Sequence, residues 1–177
     1  DKCGVADEMR DLQIYRRDIN LSNIELWYPQ GLGEPKLYDV EISLSADGIV
    51  LDKLDFKTGI RIIEHLESEG RKYRQRWDKF HMCVNGKKIF LKGMNWMPVD
   101  FLLDISDQDY RWALELAKNE GIQLLRVWSG GGMPEDDRFY SLCDELGIMV
   151  IQDSFIANQT TEAWNREVLQ SQVCQNL

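Results

Sequence analysis

Residues 88–155 read KIFLKGMNWMPVDFLLDISDQDYRWALELAKNEGIQLLRVWSGGGMPEDDRFYSLCDELGIMVIQDSF, and this stretch decides the fold. It writes one unit twice: a short apolar strand ends in a polar or aromatic cluster, an amphipathic helix follows, and the next strand begins at once. That is the grammar of parallel β/α architecture. The first strand, Lys88 to Lys92, runs on into Gly93-Met94-Asn95-Trp96. Ser106, with Asp109 three residues on, opens a helix whose apolar stripe is Tyr110, Ala113, Leu114 and Ala117, and Gly121 follows its last turn. Gln123 to Val127 is the second strand. A second helix begins near Pro134, has Glu135, Asp136 and Asp137 to complement its dipole, and buries Phe139, Leu142, Cys143 and Leu146 before Gly147 ends it. Ile148 to Ile151 is a continuous apolar strand of the kind covered on both faces, and a third helix starts after Thr161.

Upstream, the chain reads as β structure. Tyr38, Val40, Ile42 and Leu44 alternate with Asp39, Glu41 and Ser43; Asp47-Gly48 supplies a tight turn; Leu54, Phe56, Ile60 and Ile62 resume the two-residue period. One face is then buried and the other wet, as in an antiparallel sandwich. Leu26 to Gly33 is an aromatic, turn-rich segment crossing the sandwich edge. Glu64 to Lys79 is densely charged and reads as a solvated loop between domains, with Arg71, Lys72, Arg74 and Arg76 as surface charge. Phe80, Met82 and Val84 then lead into Asn85-Gly86, a strong hairpin signal.

The domain organisation follows: residues 1–79 form the later part of a β-sandwich with its charged linker, and residues 80–177 begin an α/β domain. Three parallel strands do not close a barrel, which needs about eight strands and roughly 250 residues. The opening of a (β/α) barrel and a small open sheet are both compatible with the periodicity.

Composition narrows the function. With 21 basic against 30 acidic residues the net charge is -9, which opposes the basic footprint of a nucleic-acid or anionic-membrane binder. No apolar run of about 18 residues is present to span a bilayer, and Asp1-Lys2-Cys3-Gly4 resembles no signal peptide. Cys3, Cys83, Cys143 and Cys174 are too scattered for a zinc site or a redox dithiol, and they leave the compartment open. His65 and His81, the only histidines, sit beside neither a nucleophile nor a metal-ligand partner, so no metal site is expected. Gly130-Gly131-Gly132 matches no phosphate-loop spacing and reads as a permissive turn at a pocket rim, and no cofactor is indicated.

Chemistry in a parallel sheet belongs at the C-terminal ends of its strands. There the sequence places Asn95-Trp96, Arg126-Val127-Trp128 and Gln152-Asp153. Trp96 and Trp128 offer flat apolar faces suited to a sugar ring, or else each indole caps the core. Arg126, on an otherwise apolar strand, demands a carboxylate partner, and Asp153 raises the matching demand; the two satisfy each other, or they serve a ligand.

These residues also carry a resemblance. Leu26-Trp27-Tyr28-Pro29-Gln30-Gly31-Leu32-Gly33, with Pro35, Leu37 and Tyr38, resembles the sandwich motif of family 2 glycoside hydrolases. Val84-Asn85-Gly86, Lys92 to Pro98, Leu125 to Trp128, Asp136-Asp137 to Tyr140, Leu142 to Ile148 and Gln152-Asp153 are similar to its β-mannosidase branch. The resemblance implies a multidomain β and α/β fold: a partial immunoglobulin-like β-sandwich, then the first three βα units of a (β/α)8 TIM barrel. It implies a retaining exo-acting hydrolase of terminal β-mannosyl residues, or another family 2 activity such as β-glucosaminidase, β-galactosidase or β-glucuronidase. Its two catalytic glutamates would follow strands four and seven, so no catalytic residue is expected before Leu177. By position, Arg126 would orient the nucleophile, Trp128 would line the sugar subsite, and Asn95, Trp96 and Asp153 would border it. A carbohydrate is the expected partner, with no nucleic acid and no membrane, in a periplasmic, secreted or lysosomal setting sooner than a nuclear one. Ile151 before Gln152-Asp153, Ser154 after it and Ser129 after Trp128 depart from the family pattern. A non-catalytic carbohydrate-binding module, and a phosphate-ligand barrel using the glycine turn, are the readings from other classes.

Overall fold

The computed structural model describes residues 18–66, 81–100, 102–128 and 134–153. Among them, three small sheets and two helices follow in chain order. β1 (Tyr38–Ala46) and β2 (Ile49–Thr58) form an antiparallel hairpin, and Asp47 and Gly48 take the left-handed conformations that a two-residue turn of this kind requires. β3 (Ile63–Leu66), β4 (His81–Val84) and β5 (Lys87–Ile89) form an antiparallel sheet. β6 (Gly93–Trp96), β7 (Leu124–Val127) and β8 (Met149–Gln152) are parallel and lie in that order. α1 (Asp107–Asn119) joins β6 to β7, and α2 (Asp137–Leu146) joins β7 to β8.

Each helix starts where a side chain meets its free N–H groups. At α1, the Ser106 hydroxyl accepts from the Asp109 N–H while the Asp109 carboxylate accepts from the Ser106 N–H, a reciprocal capping box. At α2 the cap is Asp136, two residues past Pro134, so Glu135 precedes the helix and is free for another task. The helices bury the residues their spacing selects: Tyr110, Leu114 and Ala117 on α1, and Phe139, Leu142, Cys143 and Leu146 on α2. These pack on Trp96, Leu125, Val127 and Ile148 to make the core behind the parallel sheet.

A second core lies below that sheet, where Trp27 meets Val84 and Met149. Trp27 is fully buried, and its turn does more than cross an edge. The Trp27 indole N–H donates to the carbonyl of Asp144 at 2.8 Å, in the last turn of α2, and the Gln30 N–H donates to the carbonyl of Gly147 at 2.8 Å. The Gln30 side-chain amide donates to the carbonyls of Lys118 at 3.1 Å and Ile122 at 2.8 Å, at the end of α1. Helix C-termini leave carbonyls without intrahelical donors. One turn therefore serves both helices. Asn85 locks it from the other side, donating to the Trp27 carbonyl at 2.9 Å and accepting from the Ile62 N–H at 2.9 Å.

Four expectations need correction. The apolar face of the β1–β2 hairpin is not buried among the described residues: Ile42, Leu44, Leu54 and Phe56 are exposed, because nothing described packs across them. The charged region after Ile62 begins as a strand, since Ile63 and His65 pair opposite Val84 and Met82 over a run too short to show a period among the charges. The Lys88–Lys92 run does not continue into the parallel sheet; β5 ends at Ile89 and a new strand starts at Gly93 in a different sheet. Ile151 is exposed, so the last strand is not covered on both faces. The remainder of the charged region, the glycine turn Gly130 to Gly132 and the third helix lie outside the described residues.

Gly147 tests how tightly the turn and helix meet. Its φ is 74°, and a Cβ there would lie 2.8 Å from the Gln30 nitrogen. Gly147→Ala is expected to lower unfolding free energy by about 1–3 kcal/mol, from left-handed backbone strain and the close approach together. Urea denaturation of the two proteins checks it.

Candidate functional site

Alternation along a strand sends successive side chains to opposite faces. In the parallel sheet Asn95 pairs with Arg126 and Arg126 with Ile151, so these positions share one face, and Asp153 returns to that face two residues later. The Asp153 N–H donates to the Val127 carbonyl at 3.1 Å, which holds it beside β7 past the strand's formal end. The Arg126 guanidinium meets the Asp153 carboxylate with two bonds, Nε to Oδ1 at 3.1 Å and Nη2 to Oδ2 at 2.6 Å. Its third contact, Nη1 to Asn95 Oδ1, is 3.4 Å. Three of the five residues singled out from the sequence thus form one polar cluster, on the face away from the helices.

The cluster is open. The Arg126 side chain is 46% exposed and that of Asp153 is 19% exposed. An ion pair this wet contributes at most about 1 kcal/mol to stability. Trp128 follows β7, its N–H bonded to the Trp96 carbonyl at 3.2 Å, and it remains 38% exposed.

Trp96 is elsewhere. Adjacent to Asn95 on β6, it points to the helix side, where it is buried against Phe139 with ring centroids 4.8 Å apart. Its place bordering the polar face is therefore corrected to one in the core behind it. Its indole N–H donates to Glu135 Oε1 at 3.0 Å, and the Tyr110 hydroxyl donates to Glu135 Oε2 at 2.7 Å. Sequence reasoning placed Glu135 as a dipole-complementing acid; the Asp136 in the next position, a better cap, was the signal that Glu135 stood outside the helix. The Tyr140 hydroxyl accepts from the Glu135 N–H at 3.2 Å and donates to Gln152 Oε1 at 2.6 Å. No group of His, Cys, Asp and Glu suited to a metal ion occurs among the described residues.

Comparison with known proteins places this geometry. Residues 4–61 match the profile described as Glycosyl hydrolases family 2. The chain is 36% identical to a β-mannosidase B of Aspergillus terreus over 160 residues, covering 90% of this chain and 18% of that protein. It is 37% identical to a β-mannosidase of Capra hircus over 135 residues, covering 76% of this chain and 15% of that protein. Among solved structures, the β-D-mannosidase of Dictyoglomus thermophilum is 41% identical with a TM-score of 0.72, over 82% of this chain and 18% of that one. The exo-chitosanase CsxA of Amycolatopsis orientalis is 26% identical with a TM-score of 0.61, over 73% of this chain and 14% of that one. The parallel sheet with its polar residues at the strand ends, joined to antiparallel β structure, is thus an arrangement shared with part of a solved β-D-mannosidase. The chain is similar to glycoside hydrolase family 2 through residues 4–61, and to the β-mannosidases over most of its own length. It spans 18% of the length of the first of these relatives.

Two tyrosines report on the buried side of the site. Burial, and after it the Glu135 carboxylate, push the Tyr110 phenol above the ordinary tyrosine range, and burial raises Tyr140 as well. The folded state favours both phenols neutral, so that stabilisation is complete below the usual tyrosine value of about 10 and is lost as pH rises through the elevated folded values. Absorbance titration is expected to show tyrosines ionising late, together with unfolding, and Tyr110→Phe is expected to remove part of that late step.

Proposed function

We propose that this sequence belongs to a retaining, exo-acting β-mannosidase-like enzyme that releases terminal β-mannosyl residues, and that it supplies part of the wall of the sugar pocket. Residues 1–79 are read as the later part of an immunoglobulin-like sandwich with its linker, and residues 80–177 as the first three βα units of a TIM barrel, with the β3–β4 pairing joining the two. The carrying observation is the Asn95–Arg126–Asp153 cluster. A charged side chain seated between buried Leu125 and Val127, in an ion pair too exposed to stabilise the fold appreciably, has its best account in binding or catalysis.

In this reading the two glutamates that break the glycosidic bond come from strands outside this sequence. One attacks the anomeric carbon as the other protonates the departing oxygen; water, deprotonated by the second, then releases the sugar from the first. The wall residues act around those steps. Asp153 and Asn95 fix the Arg126 guanidinium, and in this reading its charge holds the nucleophilic carboxylate ionised and oriented. Trp128 offers its exposed indole face to the apolar side of the sugar ring. A β-glucosaminidase is the second reading, favoured by the likeness to the exo-chitosanase CsxA.

Two measurements test the proposal. The isolated 177-residue chain is expected to give no turnover of an aryl β-mannoside, whereas the complete protein does; turnover by the chain alone would show that the acids are misplaced. In the complete protein, Arg126→Lys is expected to lower kcat by about 100-fold, because a single ammonium does not reproduce the planar two-bond fork. A panel of aryl glycosides separates mannoside from glucosaminide activity.

A further inference from the structure

The Arg126 cluster is held from the front by its own contacts and from behind by a line of hydrogen bonds that the mechanism above does not use. It begins at Trp96, the residue after Asn95, whose indole N–H donates to Glu135 at 3.0 Å. Tyr110 of α1 fills the second carboxylate oxygen at 2.7 Å. The line leaves Glu135 through its backbone: the Glu135 N–H donates to the Tyr140 hydroxyl at 3.2 Å, and that hydroxyl donates to Gln152 at 2.6 Å. It ends where the Gln152 side-chain amide donates to the carbonyl of Asp153 at 3.0 Å. The residues at its two ends adjoin or include two partners of Arg126 among the described residues: Asn95 is next to Trp96, and Asp153 takes the last bond.

We propose that Glu135 is a positioning residue for the Arg126 cluster: gripping Trp96 on one side and tied through Tyr140 and Gln152 to Asp153 on the other, it sets the separation of the strand ends that carry Asn95 and Asp153. A carboxylate suits this position because it accepts from two donors at once, and here both donors lie in the packed core behind the sheet. Phe139 fixes the donors in turn, lying 4.8 Å from the Trp96 ring and 5.9 Å from the Tyr110 ring. Widening the gap between β6 and β8 would leave the guanidinium unable to meet Asn95 and Asp153 together. Small displacements of an orienting group are expensive in rate.

The kinetic arm of the test rests on the glycosidase reading. In the complete protein, Glu135→Ala is expected to lower kcat on an aryl β-mannoside about tenfold or more at a temperature well below its Tm. Glu135→Gln is expected to restore most of that loss, because its amide oxygen still accepts from Trp96 while its NH2 donates to the Tyr110 oxygen. Glu135→Ala with the parental kcat and only a lower Tm overturns the proposal, as does a Gln variant as slow as the Ala one. Where Glu135→Ala does not fold, Tyr140→Phe, which removes the hydroxyl joining the Glu135 N–H to Gln152 and so cuts the line at its middle, carries the test with the same readings of kcat and Tm. If the unmodified protein cleaves no aryl glycoside, the glycosidase reading fails, and crystal structures of the parent and the folded variant decide the brace. An Arg126 fork shifted off Asn95 or Asp153 in the variant supports it, and an unmoved fork overturns it.

Discussion

Everything above the parallel sheet depends on how the helices end below it. The last carbonyls of α1 and α2 need donors, and the Trp27 indole, the Gln30 backbone and the Gln30 amide supply them from a single turn. Because that turn is also buried against Val84 and Met149, the antiparallel and parallel parts of the chain share a hydrogen-bonded seam as well as an apolar one. The Arg61 guanidinium lies over the Trp27 ring at 4.7 Å and reaches Asp144 at 3.9 Å, closing the seam from outside. Helices anchored at their C-terminal ends direct their N-terminal ends, and the loops that lead into them, toward the rim where the polar residues gather.

At that rim the two-residue alternation divides the labour. One face of β6, β7 and β8 carries Asn95 and Arg126, with Asp153 beyond; the other carries Trp96, Leu125 and Val127 into the core. Neighbours in sequence therefore do opposite work: Asn95 touches a charge, and Trp96 packs against Phe139. The arrangement lets the protein present a charged cluster without weakening the core, because the groups that would suffer from burial and the groups that require it never compete for one side.

Much of this was legible in the residues. Ser106 with Asp109, Gly121 and Gly147 marked helix ends because caps need those side chains or that backbone freedom whatever the tertiary context. The polar cluster was legible because an arginine between buried leucine and valine is anomalous on its own. The face of Trp96 was available from strand parity, but its aromatic character drew it toward the pocket in the reading. β3 was hidden because pairing with β4, and not its own composition, makes it a strand. Glu135 was hidden because its bonds come from residues 39 and 25 positions away, and sequence shows only the neighbouring helix start. Nothing local reveals such a partner.

The Asn85-Gly86 turn has a chemical consequence of its own. Asn85 adopts the left-handed backbone that suits a hairpin, and its side chain both accepts from Ile62 and donates to the Trp27 carbonyl. Asparagine before glycine is a thermolabile pairing, and hydrolysis of this amide would exchange the donor for a second anionic oxygen facing a carbonyl. Ageing at one surface hairpin would thereby set like against like at the seam that ends both helices, a lesion that peptide mapping of heated protein would locate.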